Sequence, residues 1–209
     1  MKITVIGSGN MGSGFVKQLR AAGHSVRVTG RDQAKALALA AQNPGAEALP
    51  LDAAAQGAEA IVLATPFDQA VAALRSLGNI DGKVVIDVTN PLTPDYMGLT
   101  VGHSTSASEQ IQQAVPGALV VKGFNTVFAQ VLAAGARLSG QPVTVFVAGD
   151  SEQGKQTART LAESMGFAVM DAGGLKNARY LEPLAGLNIF FGYGAGLGTS
   201  IAPTWQRQG

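Results

Sequence analysis

The residues best suited to chemistry lie at the start of the chain, where Ile3-Thr4-Val5-Ile6 is followed by Gly7-Ser8-Gly9-Asn10-Met11-Gly12. This is a G-x-G-x-x-G pattern placed between an apolar strand and a helix. Gly7 permits a tight turn, Gly9 lets the backbone approach a ligand without a Cβ, and Gly12 allows close packing of the helix on the strand. Unpaired N–H groups at the positive end of the helix dipole then suit a pyrophosphate. The pattern predicts that residues 7 to 12 bind a dinucleotide.

The end of the second predicted strand bears on which nicotinamide cofactor is bound. NAD-selective sites place an Asp or Glu there, which accepts hydrogen bonds from the adenine ribose. This chain has Val28-Thr29-Gly30-Arg31 instead, and a guanidinium can hold a 2′-phosphate through two hydrogen bonds. Thr29 adds a hydroxyl, and Lys35 either adds charge from the same helical face or is a solvated surface lysine. Asp32 is interpreted as the cap of the next helix, so NADP(H) is favoured over NAD(H).

Three further loops are predicted to line the cofactor site because they leave the carboxyl ends of predicted strands, where ligands of doubly wound folds bind. Their small and polar groups suit nicotinamide and ribose. Pro66 and Pro91 also have purely structural explanations, as the start of a helix and the end of a strand. The predicted cofactor-binding residues in these loops are Ala64, Thr65, Pro66, Asn90, Pro91, Phe124 and Asn125.

Catalytic acids and bases are scarce in this sequence. None of the three tyrosines begins a Tyr-x-x-x-Lys pair, and no His–Asp arrangement is evident. Hydride transfer between two flat ring systems requires only that the protein stack them and exclude water, so the scarcity favours a flavin-like acceptor over a carbonyl substrate. For His103, in a loop rich in glycine and serine, a surface position is the alternative. The candidates for a catalytic role are His103, Asn125 and Thr126.

Composition excludes several classes of function. The 209 residues have a net charge of +1 and no run of Lys or Arg, which predicts no nucleic-acid partner. The absence of cysteine excludes disulfides, a thiolate nucleophile and Cys-based metal sites, and with two histidines no metal is expected. The first residues lack the pattern of a signal peptide, and Leu187 to Leu197 is too short and too rich in glycine to span a bilayer. We expect a cytoplasmic protein with no membrane partner.

The elements that must position these residues follow an alternating pattern of short β-branched runs and alanine-rich helical segments. This pattern predicts a doubly wound, mostly parallel α/β sheet of the Rossmann type with a small C-terminal helical extension. We expect a cofactor-binding domain at residues 1–150, with 151–209 packed on it. Strands are predicted at Lys2–Ile6, Ser25–Thr29, Glu47–Pro50, Ala60–Ala64, Lys83–Val88, Ala118–Lys122, Val143–Ala148 and Phe167–Asp171, and helices at Met11–Ala22, Asp32–Gln42, Phe67–Leu77, Ser106–Val115, Val127–Ala134, Ser151–Met165 and Leu175–Phe191.

Helix ends have recognisable signals of their own. Ser106 is followed three residues later by Glu109, which is a capping-box pattern. Gly23, Gly78 and Gly166 stand where helices are predicted to stop.

Several of these segments together resemble one family. They are similar to segments of the NADPH-dependent deazaflavin (coenzyme F420) reductases, and of the cytosolic NADPH-binding domain of the STEAP metalloreductases. The similar segments are the glycine turn, Gly30-Arg31, Ala64-Thr65-Pro66, Lys122 to Thr126 and Asp171 to Arg179. The similarity covers nearly the whole chain. It implies a homodimer, Arg31 at the 2′-phosphate, and hydride transfer from NADPH to a flavin or deazaflavin stacked against it.

The identity of the small-molecule redox acceptor stays open at this point. Asn125-Thr126 is closer to the STEAP version than to the His-Thr of the deazaflavin reductases, so a conventional flavin or an iron chelate is an alternative acceptor. Pyrroline-5-carboxylate reductases and β-hydroxyacid dehydrogenases share the Gly-x-Gly-Asn-Met-Gly opening, which keeps a small imine or carbonyl substrate as another alternative. Those families need a large helical C-terminal domain, however, and only residues 150–209 remain here. The third alternative is that the protein is a non-catalytic NADPH sensor.

Overall fold

Aliphatic and β-branched runs form one eight-stranded sheet in the computed structural model, which describes residues 1–205. The strands are β1 (Lys2–Ile6), β2 (Ser25–Thr29), β3 (Ala46–Ala48), β4 (Ala60–Leu63), β5 (Val84–Asp87), β6 (Leu119–Lys122), β7 (Arg137–Leu138), β8 (Gln141–Pro142), β9 (Thr144–Gly149) and β10 (Ala168–Asp171). Strands β7 and β8 form a separate hairpin, and the order in the sheet is β10-β9-β6-β5-β4-β1-β2-β3. All neighbours pair in parallel except β6 and β9, which are antiparallel.

Helices cover both faces of this sheet. They are α1 (Asn10–Ala21), α2 (Gln33–Ala41), α3 (Leu51–Ala54), α4 (Phe67–Arg75), α5 (Ala107–Ala114), α6 (Ala129–Ala134), α7 (Glu152–Ser164) and α8 (Ala178–Ile189). Phe15 of α1, Leu132 of α6 and Leu161 of α7 belong to one core cluster, whereas Leu74 of α4 and Ile111 of α5 belong to another. The strands are therefore buried on both sides, which confirms the predicted doubly wound, mostly parallel α/β fold.

The carboxyl ends of the central strands meet at one edge of the sheet. Strand register aligns Ile6 with Thr29 and Leu63, Leu63 with Asp87, and Asp87 with Lys122. The chain runs outward from β1 to β3 and then returns to place β4 on the other side of β1. A crevice for ligands opens where the strand order reverses in this way, and the loops after β1 and β4 flank it.

The predicted helix ends are confirmed. The Ser106 hydroxyl accepts a hydrogen bond from the Glu109 N–H at 3.2 Å at the start of α5. After α1, α4 and α7 the backbone turns with a left-handed φ that favours glycine, at Gly23 (+83°), Gly78 (+76°) and Gly166 (+89°).

The structure differs from the sequence prediction in two places. The third strand ends at Ala48 because Pro50 precedes α3, a short helix that the sequence pattern did not indicate. The hairpin of β7 and β8 was also not predicted. The helix predicted over Leu175–Phe191 is confirmed as α8, with a 3-10 turn (Leu175–Asn177) directly before it and a π turn (Phe190–Gly194) directly after it.

Residues on both sides of position 150 contribute to the same sheet, since β10 pairs in parallel with β9. The division into a domain and an extension at that point stays a prediction. None of the helices within residues 1–205 combines the length and the apolar character needed to cross a lipid bilayer. A cytoplasmic location also stays a prediction.

Candidate functional site

A cleft of about 1070 Å³ lies over the glycine turn at the carboxyl edge of the sheet. It is bounded by the turn after β1, by the loop from β2 into α2, and by the loop from β4 into α4. The predicted cofactor residues that line it are Gly7, Ser8, Gly9, Arg31, Lys35, Ala64, Thr65 and Pro66. The structure thus brings together residues from three segments of the chain.

The three glycines of the turn have different physical roles. Gly7 has a φ of +113°, and a Cβ on it would lie 2.2 Å from the carbonyl oxygen of Ala64. A Cβ on Gly12 would lie 1.9 Å from the Gly7 carbonyl oxygen, so helix α1 packs directly on the turn. A Cβ on Gly9 would meet nothing within 4 Å. Packing within the protein therefore does not require glycine at position 9, and the open space there fits an incoming diphosphate.

Helix α1 directs its uncapped N-terminus toward the glycine turn at this cleft. Gly9 is its N-cap, and no side chain caps the helix. The N–H groups of its first turn are therefore available to an anion, and the helix dipole favours negative charge at this end.

Arg31 lies at the far end of the cleft, where the ribose of a dinucleotide would extend. It is exposed and makes no ion pair with any residue from 1 to 205. Lys35 Nζ lies 3.3 Å from Asp32 Oδ2, and the Asp32 carboxylate accepts the Lys35 N–H at 3.0 Å. This backbone hydrogen bond holds the pKa of Asp32 below its usual value. Asp32 therefore caps α2 as predicted, and Arg31 is the cation left available for a 2′-phosphate.

A second cavity, of about 260 Å³, continues from Asn10 along the same edge toward β5 and β6. The predicted residues Asn10, Met11, Asn90, Phe124, Asn125 and Thr126 line it. Helix α8 and the turn that follows it close the other side with Ala185, Asn188, Ile189 and Tyr193. None of these four residues was predicted from the sequence to belong to the site.

Two asparagines join the β5 and β6 loops inside this cavity. The Asn90 side-chain amide donates to the Asn125 carbonyl at 2.9 Å, and the Asn125 amide donates to Asn90 Oδ1 at 3.0 Å and to the Leu181 carbonyl at 2.9 Å. Asn125 Oδ1 and Thr126 Oγ1 are buried and have no hydrogen-bond partner among the described residues. Buried polar atoms are rarely left unpaired, so these two oxygens fit the carboxamide of a nicotinamide ring.

The backbone beside Asn125 is strained. Phe124 is buried with a φ of +63°, which is uncommon for a bulky residue. Edge-to-face contacts hold its ring at 5.0 Å from Phe15 and 5.6 Å from Phe167. Strain of this kind persists only where the surrounding structure enforces it, and it clusters at functional sites.

A buried ion cluster lies beneath the cavity and was not predicted from the sequence. Lys122 Nζ lies 2.8 Å from Asp87 Oδ2 and 3.0 Å from Glu182 Oε1, and all three side chains are at most 1% exposed. The same ammonium donates to the carbonyl of Thr89 at 2.7 Å. The only signals in the sequence were a lone Asp and a lone Lys at the ends of two apolar strands.

Helix α5 completes the hydrogen bonding of this cluster. Its Ser108 hydroxyl donates to Asp87 Oδ2 at 2.6 Å, and the Ala107 N–H donates to Glu182 Oε2 at 2.9 Å. One ammonium and one helix N-terminus thus face two carboxylates, which compensates the buried negative charge. The cluster joins β5, β6, α5 and α8, and so fixes α8 against the cavity.

Four predicted residues do not line either cavity. Gly12 lies in α1, packed against the backbone of Gly7. Thr29 is fully buried under the cleft, and Pro91 is buried behind the β5 loop. His103 is exposed in a turn with a φ of +56°. The structure leaves His103 outside the region where a nicotinamide ring would lie.

Known proteins that are similar to this chain indicate its family. The family model described as NADP oxidoreductase, coenzyme F420-dependent, matches residues 2–91. The F420-dependent NADP reductase of Methanothermobacter marburgensis is 31% identical over 208 residues, which cover 90% of this chain and 91% of that protein. The chain belongs to the F420-dependent NADP oxidoreductase family. The chain is also similar to a solved structure from Arthrobacter sp. FB24, which is described as a candidate F420-dependent NADP reductase. The two share 31% sequence identity with a TM-score of 0.90, over 99% of this chain and 100% of that one.

The family resemblance extends to longer proteins. Metalloreductase STEAP3 of Rattus norvegicus is 28% identical over 184 residues, which cover 88% of this chain but 36% of that protein. The chain therefore spans about a third of that relative. A reductive aminase from Aspergillus terreus, at 20% identity and a TM-score of 0.68 over 93% of this chain and 62% of that one, shares the fold alone.

Proposed function

We propose that this family member transfers a hydride between NADPH and a flavin or deazaflavin acceptor. The observation that carries the proposal is the character of the cavity beside Asn90 and Asn125. Its described lining residues carry aliphatic, aromatic, thioether, amide or hydroxyl groups, and none is a carboxylic acid, a lysine, an arginine or a histidine. Reduction of a carbonyl or an imine draws on a positioned proton donor. Within the described lining, the groups of that kind are the phenols of Tyr96 and Tyr193, and these two residues are 61% and 59% exposed to solvent. Transfer between two ring systems needs stacking and exclusion of water, which such a lining supplies.

The cofactor is assigned to both cavities in one orientation. The first turn of α1 would hold the diphosphate, Arg31 would hold the 2′-phosphate, and the unpaired oxygens of Asn125 and Thr126 would hold the carboxamide. The chemistry supplied there would be a hydride, which carries both electrons to the acceptor. NADPH, the oxidised acceptor and one proton from solvent then give NADP⁺ and the reduced acceptor.

An anaerobic assay of NADPH oxidation tests this proposal. Coenzyme F420, riboflavin, a ferric chelate and a cyclic imine are supplied in parallel as acceptors. Oxidation that depends on the deazaflavin or the flavin supports the proposal. Turnover of the imine alone contradicts it, as does tight NADPH binding with no turnover, which indicates a sensor.

We also propose that the protein is a homodimer formed through one exposed side of α8. Tyr180 and Leu187 are 75% and 50% exposed and recur at helical spacing along that side. Exposed apolar stripes mark interaction surfaces, and a twofold axis would pair this stripe with its own copy. Light scattering should give a dimer mass, and Leu187→Glu should give a monomer. Leu37→Glu on α2, a leucine of similar exposure (56%), is the control that should remain dimeric.

A further inference from the structure

Two tyrosines from separate elements line the 260 Å³ cavity that we assign to the nicotinamide ring. Tyr96 belongs to the loop after β5, and Tyr193 belongs to the π turn after α8. Their side chains are 61% and 59% exposed. Large aromatic rings with one side toward solvent are suited to stacking on a planar ligand at the open end of a pocket.

The loop that carries Tyr96 is a small hairpin held by its own backbone. Residues 92 and 99 form an antiparallel bridge, the Thr100 N–H donates to the Pro91 carbonyl at 2.7 Å, and the Thr93 N–H donates to the Gly98 carbonyl at 2.9 Å. Tyr96 at its tip has a φ of +62°. A bulky residue in the left-handed region is uncommon, and such outliers concentrate at ligand-binding sites.

Tyr193 is held in a defined orientation. Its ring meets Phe128 edge-to-face, with the centroids 5.7 Å apart and the planes at 86°. The π turn that carries it is of a rare type that is frequent at functional sites. The turn also approaches the hairpin, because a Cβ on Gly194 would lie 3.4 Å from Met97 Sδ.

The charges around the cavity favour a ligand whose bound portion is uncharged. No described residue that lines the cavity is charged. The hairpin carries one charge, Asp95, next to Tyr96. Hydrogen bonds from the Thr93 hydroxyl and the Met97 N–H hold the pKa of Asp95 below its usual value, so the carboxylate stays negative. A phosphate or carboxylate tail would be repelled here, and the cations of the site, Arg31 and Lys35, line the other cleft.

We propose that Tyr96 and Tyr193 form a stacking rim that selects the hydride acceptor by its uncharged planar ring and not by an anionic tail. This rests on the proposed function and specifies the acceptor class within it. The cavity is smaller than the roughly 300–1,000 Å³ pockets that enclose whole drug-sized ligands. The nicotinamide ring is assigned to this volume, so the acceptor ring would stack at its open end beside the two tyrosines, and the tail of the acceptor would extend into solvent.

Steady-state kinetics with matched acceptors test the rim. Riboflavin and 5-deazariboflavin are compared with their 5′-phosphates at low and high salt. We expect kcat/KM to differ by less than about threefold between each ring compound and its phosphate, with little salt dependence. The reason is that the two tyrosines carry no charge that could attract the phosphate. Tyr96→Ala and Tyr193→Ala should each raise KM for riboflavin about tenfold, in line with the loss of an aromatic stacking contact, whereas Tyr96→Phe and Tyr193→Phe should retain the wild-type KM. A salt-sensitive preference of more than tenfold for the phosphates, or Ala variants with unchanged KM, would overturn the proposal.

Binding measurements separate this proposal from the proposed reaction. The Kd of riboflavin and of 5-deazariboflavin is measured by fluorescence on the protein saturated with NADP⁺, where no turnover occurs. Binding that weakens in the two Ala variants, with the Kd of NADPH unchanged, supports the rim even if no acceptor is reduced. Absence of binding by both ring compounds, or equal binding in wild type and Ala variants, contradicts the rim whether or not NADPH oxidation is observed.

Discussion

Lys122 Nζ lies 2.8 Å from Asp87 Oδ2, and both side chains are completely buried at the ends of the neighbouring strands β6 and β5. Glu182 Oε1 of α8 lies 3.0 Å from the same Lys122 Nζ. A buried ion pair adds little net stability over an apolar replacement of the whole group, but removal of one partner leaves an uncompensated charge in the core. This cluster therefore ties the C-terminal helix to the sheet.

Substitution of Lys122 is expected to be strongly destabilising. Lys122→Met leaves two buried carboxylates without their cation, and we expect a loss of about 3–5 kcal/mol in the free energy of unfolding. Urea unfolding followed by circular dichroism measures this loss. Lys176→Met, at an exposed lysine, is the control and should change stability by less than about 0.5 kcal/mol. Similar small changes in both variants would show that the cluster does not support the fold.

Gly9 and Gly12 are expected to respond oppositely to an added side chain. At Gly9 an added Cβ meets no protein atom, so Gly9→Val should lower the melting temperature only slightly, through the poorer N-cap. NADPH and NADH binding should both fall below detection by calorimetry. At Gly12 a Cβ would lie 1.9 Å from the backbone of Gly7, so Gly12→Ala should lower the melting temperature. Retained affinity for NADPH in the folded Gly9→Val protein would contradict the assignment of the diphosphate to this turn.

Arg31 is expected to distinguish the two nicotinamide cofactors. Because Arg31 makes no ion pair with a described residue and lines the cleft, Arg31→Ala should weaken NADPH by about 1.5–3 kcal/mol, the value of a hydrogen bond to a charged group. NADH, which has no 2′-phosphate, should be nearly unaffected. Lys35→Ala should cost less, since Lys35 is already paired with Asp32. Isothermal titration with both cofactors measures the effect, and equal losses for NADPH and NADH would refute the assignment.

The ion pair between Glu109 and Arg179 is expected to contribute to acid sensitivity. Two hydrogen bonds from the Arg179 guanidinium, at 2.8 Å and 2.7 Å, hold the pKa of Glu109 below its ordinary value of 4.5. A carboxyl with a lowered pKa in the folded state stabilises the protein above its unfolded pKa, and this contribution is lost as the pH falls through the folded pKa. Urea midpoints of Glu109→Gln should therefore fall less than those of the wild type as the pH drops below 4.5.

A second carboxyl is the control for this pH experiment. Glu163 pairs with Arg159 at 3.4 Å on the exposed side of α7. Glu163→Gln should follow the wild-type pH dependence. Parallel curves for the wild type and Glu109→Gln would mean that this ion pair does not contribute to the acid response.

The glycine turn and the strand ends were predictable because their signals are local. A left-handed turn, an open helix N-terminus and a guanidinium directly after a strand are properties of consecutive residues, and the structure places Gly7, Gly9 and Arg31 in one cleft. The helix stops at Gly23, Gly78 and Gly166 follow from the same kind of local preference. The sequence by itself therefore determined the fold class and which residues line the cleft over the glycine turn.

Only the tertiary structure decided which polar groups meet in the second cavity. The Asn90 and Asn125 amides lie 35 positions apart in the sequence, and they meet because β5 and β6 are neighbours in the sheet. Asp87, Lys122 and Glu182 come together for the same reason, with α8 folded back on the strand ends. Hydrophobic periodicity indicates which residues are buried, but the register of strands and the path of a returning helix determine which buried polar groups meet.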